Sequence, residues 1–142
     1  MAVTFRILPQ YGIISVRYVG IAGVQETSRA LAALHIHPDF RVHYRHVVDL
    51  SQMTGYERDY PAIMALQAKA AEHFLPPDSG PFIVHHAPTP VSQAMARVVM
   101  RTWEAVPNSV VVMFAEAQEV MEFLGLPGLP LQSLAPVGDR AS

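Results

Sequence analysis

An α/β fold is predicted by three features of the chain. It opens with two alternating strand patterns around a Pro/Gly turn, and strand-like and helical stretches then take turns to the end. Between them lies a buried-strand run, Tyr44-Arg45-His46-Val47-Val48-Asp49-Leu50, that leads into a polar Ser51. The resulting order, β-β-α-β-α-β-α-β-α, gives a five-stranded mixed, mostly parallel sheet. A β-hairpin forms its antiparallel edge and βα units make the rest.

Thr4 to Leu8 alternates polar and apolar, Pro9-Gln10-Tyr11-Gly12 is a turn, and Ile13 to Val19 alternates again, with Ser15 and Arg17 opposite Ile14, Val16 and Tyr18. Gly20 to Gly23 breaks the pattern. Val24 to His35 has helical spacing through Leu31 and Leu34, with Glu26 in the first turn where the helix dipole favours an acid, and Pro38 stops it. The third strand covers Tyr44 to Leu50, and Ser51 to Gly55 is expected to be loop. Thr54-Gly55-Tyr56-Glu57 matches a capping box, but Pro61 would then fall inside the helix. A short turn at 55–58 is therefore expected, and a main helix from Tyr60 with Ile63, Leu66, Ala70 and Phe74 on one face, ended by Pro76-Pro77.

Phe82 to His86 is the fourth strand. Thr89-Pro90 starts a helix, with Thr as N-cap and Pro in the first position, and it stops near Pro107. Val110 to Phe114 is a continuous apolar run, as in a central or doubly covered strand, so Val111 and Val112 are expected to be buried with Val47 and Val48. Ala115 to Leu124 is a last helix with Val120, Phe123 and Leu124 inward, ended by Gly125. One domain over 1–126 is expected, with a Pro/Gly-rich tail over 127–142 whose end, Asp139 to Ser142, frays. Thr4, Arg6, Ser15, Arg17, Arg45 and Asp49 fall opposite the strongly apolar strand positions. One sheet face is therefore helix-covered and the other partly polar, which gathers the helices mainly on one face.

The 142 residues are 51% hydrophobic and only 15% charged, with a net charge of −2. So few charges point to an apolar core, an associating surface, or both, and a homodimer is expected. No basic stripe suits a phosphate backbone, which argues against nucleic acid. With no cysteine there is no disulfide, thiolate zinc site or cysteine nucleophile. Apolar runs fall far short of the roughly 20 residues of a membrane span, and the start shows no leader pattern, so a cytoplasmic location is expected.

Four words carry a family resemblance: Val16-Arg17-Tyr18-Val19-Gly20, His37-Pro38-Asp39-Phe40, Val47-Val48-Asp49-Leu50-Ser51, and Phe123-Leu124-Gly125 within Ala117 to Leu126. With the element lengths over 3–126, they make the chain resemble the STAS-like family of bacterial anti-sigma factor antagonists. Within it the likeness is to the small SpoIIAA-like proteins grouped with STAS and CRAL-TRIO lipid-binding domains. The resemblance implies a non-catalytic module. In the sporulation-type antagonists a serine at the start of the helix after the third strand is phosphorylated. Here that position falls near Arg58, within Glu57-Arg58-Asp59, and Ser51 and Thr54 lie outside the family's context. No phosphorylation is expected there.

Candidate sites follow from strand ends and helix faces. In open α/β sheets ligands bind at the carboxyl ends of strands, and helix N-termini favour anions. Asp49, Ser51, His85, His86 and Thr89 are thus a candidate ligand site, with at most one of the adjacent histidines facing Asp49; the alternative is one packed and one exposed histidine, with Asp49 capping loop amides. Arg97, Arg101 and Glu104 share a helix face and form a solvated patch or a partner surface, with Glu104 able to pair with Arg101. His35, His37, His43 and His46 lack metal-ligand spacing, so no metal and no cofactor are expected. Trp103, Met95, Met100, Met113 and Met121 read as core, or as the lining of an apolar cavity. Three functions stay open. The first is a binding or regulatory module with an unknown ligand or protein partner. The second is a CRAL-TRIO-like carrier of a lipid or other apolar small molecule beneath the helix Tyr60 to Phe74. The third is an enzyme using Asp49 with His85 or His86.

Overall fold

The computed structural model describes residues 2–74 and 80–136, so the Pro76-Pro77 stop and the frayed end at Asp139 to Ser142 lie outside the described residues. The elements are β1 (Ala2–Leu8), β2 (Ile13–Ala22), α1 (Val24–His35), β3 (Arg45–Tyr56), α2 (Tyr60–Phe74), β4 (Phe82–His86), α3 (Pro90–Trp103), β5 (Val110–Phe114) and α4 (Ala117–Phe123). A 3-10 turn follows over Leu131–Leu134. The strands lie in the order β1-β2-β3-β4-β5; β1 is antiparallel to β2 and the other neighbours are parallel. Gly12, at φ +63°, closes the hairpin turn in a conformation that side chains resist. This is the five-stranded mixed α/β sheet the sequence predicts.

Strand alternation sets two faces. On one, Phe5, Ile14, Val16 and Leu50 pack with Ala30 and Leu34 of α1 and Ala96 of α3. On the other, Leu8, Ile13, Val47 and Val84 pack with Val120, Met121 and Leu124 of α4 and with Leu134. The three longer helices thus share one face, and α4 lies on the opposite one. Helix starts follow the sequence. The Thr89 hydroxyl accepts from the Ser92 amide at 3.3 Å while the Ser92 hydroxyl accepts from the Thr89 amide at 2.9 Å. Asp59 caps α2 by accepting from the Ala62 amide at 3.2 Å, which leaves Pro61 in the first turn. Among the described residues no helix is long and apolar enough to cross a membrane.

Four expectations are corrected. Neither Gly20–Gly23 nor Ser51–Gly55 interrupts the sheet. β2 and β3 run on together, pairing Ile21 with Gly55 and Ala22 with Tyr56, and register shifts absorb the irregularity near Gly20, whose φ is +79°. β5 is an edge strand, and all five of its residues are half-buried; its apolar run reflects cover by α3 on one face and α4 on the other. Phe123 is 42% exposed and rests against Phe82 and Phe114, while Met121 takes the inward position. The described part of the segment after 126, residues 127–136, packs on the sheet: Leu134 is fully buried, and the Arg6 guanidinium donates to the carbonyls of Ser133 and Ala135, each at 3.3 Å.

The edge position of β5 changes the expected cost of truncation. Val47 is fully buried, and Val47→Ala should destabilise by about 2–3 kcal/mol through lost burial and a residual cavity. Val112→Ala, at a half-buried edge position, should cost about 1 kcal/mol or less. Urea unfolding of the two variants side by side checks the difference; equal losses would mean that β5 is internal.

Candidate functional site

Two constellations form on opposite faces of the sheet. The first sits at the strand ends on the α4 face. Parallel register sets Arg17 of β2 and His86 of β4 on either side of Asp49 of β3. The Asp49 carboxylate accepts from His86 Nδ1 at 3.0 Å and from the Ser51 amide at 3.0 Å, and Arg17 Nε lies 3.8 Å from its other oxygen. That Nε is buried and has no hydrogen-bond partner. Burial alone would raise the Asp49 pKa, but the hydrogen bonds from His86 and Ser51 outweigh it and hold the carboxyl below its usual range. A carboxylate only accepts, so His86 carries its proton on Nδ1.

Of the five residues expected at the strand ends, Asp49, Ser51 and His86 meet there. Ser51 contributes both its amide and its side chain to the Asp49 carboxylate. His85 points to the other face, as neighbours on a strand must, and the Thr89 hydroxyl is committed to its helix cap. Arg17 is the residue the sequence reading left out of the site, although its place on the polar strand face with Asp49 was already legible. A histidine oriented by a carboxylate is half of a base-catalysed arrangement. Among the described residues no nucleophile is bonded to the other ring nitrogen of His86.

The second constellation is a cavity of about 450 Å³ between the other sheet face and the three longer helices. Val16, Val48 and Leu50 form its floor, and Ile63, Leu66 and Ala70 of α2 its roof. α2 packs against α1 and α3. Trp103 Nε1 donates to Gln67 Oε1 at 2.9 Å and ties α3 to α2 above the floor. Met95 and Trp103 therefore line a cavity, whereas Met121 is core.

Few polar groups reach this cavity, and most are engaged. His85 is 2% exposed, and burial lowers its pKa to about 4 against a smaller raising effect from its bond to the Val112 carbonyl, 3.0 Å away. Burial likewise lowers His46, also in the lining, to about 4, and raises the Tyr18 hydroxyl despite its hydrogen bond to Thr27. Arg45 is the one arginine or lysine among the described lining residues, and its guanidinium donates to the carbonyls of Leu124 and Tyr11 at 3.0 and 3.3 Å. Glu57 accepts from the Val24 amide at 2.7 Å.

Arg97, Arg101 and Glu104 line a shallow cleft of about 350 Å³ beside β5, together with Trp103 and Val111. No ion pair joins Arg101 to Glu104 among the described residues. The remaining histidines pack on aromatic rings: His37 on Phe5, His35 on Phe40 and His43 on Tyr44. Among the described residues no three histidine, aspartate or glutamate side chains gather as a metal-binding set. At the start of α2, where the resemblance places a phosphorylated serine, Arg58 lies over the Tyr56 ring at 5.2 Å.

Neither a family model nor a curated protein matches the chain. Among solved structures it is similar to the anti-sigma factor antagonist SpoIIAA in its unphosphorylated form. The TM-score is 0.50 with 9% of residues identical, over 87% of this chain and 98% of that one. The fold is that of SpoIIAA, as the resemblance implied.

Proposed function

We propose that the chain is a non-catalytic binding module that encloses an apolar small molecule beneath α2. The observation that carries this reading is the cavity. Its volume lies within the roughly 300–1,000 Å³ of ligand pockets, and it is lined mainly by aliphatic and aromatic side chains with a few placed polar groups. The bond between Trp103 and Gln67, both of which line the cavity, ties α3 to α2 beside it.

An enzyme built on Asp49 and His86 fits less well. That pair lies across the sheet from the cavity, so the polar dyad and the ligand-sized space do not form one site. The homodimer expected from composition belongs to a third surface. In a two-fold pair, Glu104 of one copy could meet Arg97 or Arg101 of the other in the cleft beside β5.

Titration with the neutral apolar dye nile red, read by its emission, tests the cavity. One saturable site per chain at micromolar concentration is expected. Leu66→Trp, which fills the roof, should weaken binding at least about tenfold while the Tm stays level or rises, since the added ring replaces void with contact. Absence of saturable binding to the unaltered protein would refute the reading.

A further inference from the structure

The polar atoms that face the cavity define the ligand's polar end. His85 projects from β4 into the lining and is 2% exposed. Its Nδ1 lies 3.0 Å from the Val112 carbonyl oxygen. A carbonyl only accepts, so Nδ1 carries the hydrogen. In a neutral imidazole the lone pair then sits on Nε2. Nε2 makes no hydrogen bond among the described residues, yet it is not among their sealed, unpartnered polar atoms. It therefore opens onto the cavity as an acceptor.

Tyr18 also lines the cavity, and burial raises the pKa of its hydroxyl, which therefore stays neutral there. The buried acceptor on the sheet side asks for a donor. Charge is selected against as well: the Arg45 guanidinium is engaged by backbone carbonyls, and protonating His85 to meet an anion would bury a cation in an apolar wall. Gln67, on the roof, offers only a neutral amide.

Building on the cavity reading, we infer that the bound molecule is an uncharged apolar compound whose polar end is a hydroxyl, an aliphatic alcohol or phenol, donating to Nε2 of His85. Carboxylate-ended chains of the same length are the compounds this geometry rejects.

Displacement of nile red by three ten-carbon probes at pH 8 tests this: decanol, decyl methyl ether and decanoate. The ether keeps the chain and oxygen of the alcohol but cannot donate. Decanol should bind about fivefold to tenfold more tightly than the ether, the worth of one hydrogen bond to a buried neutral acceptor. Decanoate should be at least about tenfold weaker than decanol. His85→Phe, checked for its fold by circular dichroism, should bring decanol to the ether's affinity and leave the ether unchanged. The comparison of probes on the unaltered protein stands even if that variant fails to fold. If nile red binds but the ether equals decanol, or decanoate binds best, the hydroxyl assignment is wrong and the cavity reading stands. If nile red itself does not bind, both fall.

Discussion

Replacing Asp49 by alanine should lower the unfolding free energy by about 3 kcal/mol at pH 7.5, the low end for removing one partner of a buried ion pair. The carboxylate lies between Arg17 and His86, with side chains only 12–14% exposed. Without it, Arg17 keeps a buried charge whose Nε has no hydrogen-bond partner, and the His86 Nδ1–H and the Ser51 amide lose their acceptor. Asp49→Asn keeps an acceptor oxygen and gives up the charge, so a loss of about 1–2 kcal/mol is expected. Replacing both charges, Asp49→Leu with Arg17→Met, should recover most of the deficit, because a buried pair often adds little over an apolar filling of similar volume. Urea unfolding of the three variants decides the matter. A loss below about 0.5 kcal/mol for the alanine variant would mean that the cluster behaves as a solvated surface pair.

The same cluster shows what the sequence discloses and what it hides. Strand alternation was enough to put Arg17, Asp49 and one of two adjacent histidines on a shared face, because side-chain direction is a local property with period two. It could not say that Arg17 and Asp49 stand directly opposite each other, since that depends on the register of parallel strands far apart in sequence. Strand order is hidden for the same reason. Val110–Phe114 reads identically as a central strand or as an edge strand covered on both faces, and only pairing decides between them.

Polar composition concealed the continuation of β3, where Ser51, Gln52 and Thr54 look like loop residues until Ile21 and Ala22 provide a neighbouring strand. A Pro/Gly-rich context likewise concealed Leu134, which packs with Leu8, Val47 and Val120 while the Arg6 guanidinium donates to the carbonyls on either side of it. The cavity is the hardest feature to read. Ile63, Leu66 and Ala70 form the same apolar stripe whether they touch the sheet or stand above a space. The sequence could name the helix under which a cavity would lie, and could not tell a filled interior from a hollow one.

On acidification from pH 7 to pH 4, stability should fall by about 3 kcal/mol through His85 alone, since lowering a histidine pKa from 6.5 to about 4 differentiates the two states by that amount. Above pH 6.5 both folded and unfolded chains hold this imidazole neutral, and its contribution is fully present. Below 6.5 the unfolded chain takes up a proton that the folded chain refuses, because burial against the cavity wall disfavours the cation. The loss grows until the pH passes the folded value near 4 and then levels off. His46, lowered by burial to the same range, works in the same direction. Asp49 acts in a different window: its folded pKa is depressed, so its contribution persists above the ordinary carboxylate range near 4 and disappears only at more acidic pH. Denaturation curves at pH 7.5, 5.5 and 4.5 should therefore show most of the acid loss before the carboxylates titrate. His85→Gln, which cannot take up the proton, should flatten that limb by about half, with His46 supplying the rest. An unaltered slope in that variant would mean that His85 is hydrated in the folded protein. The neutral acceptor on which hydroxyl recognition depends would then be solvated rather than set into an apolar wall.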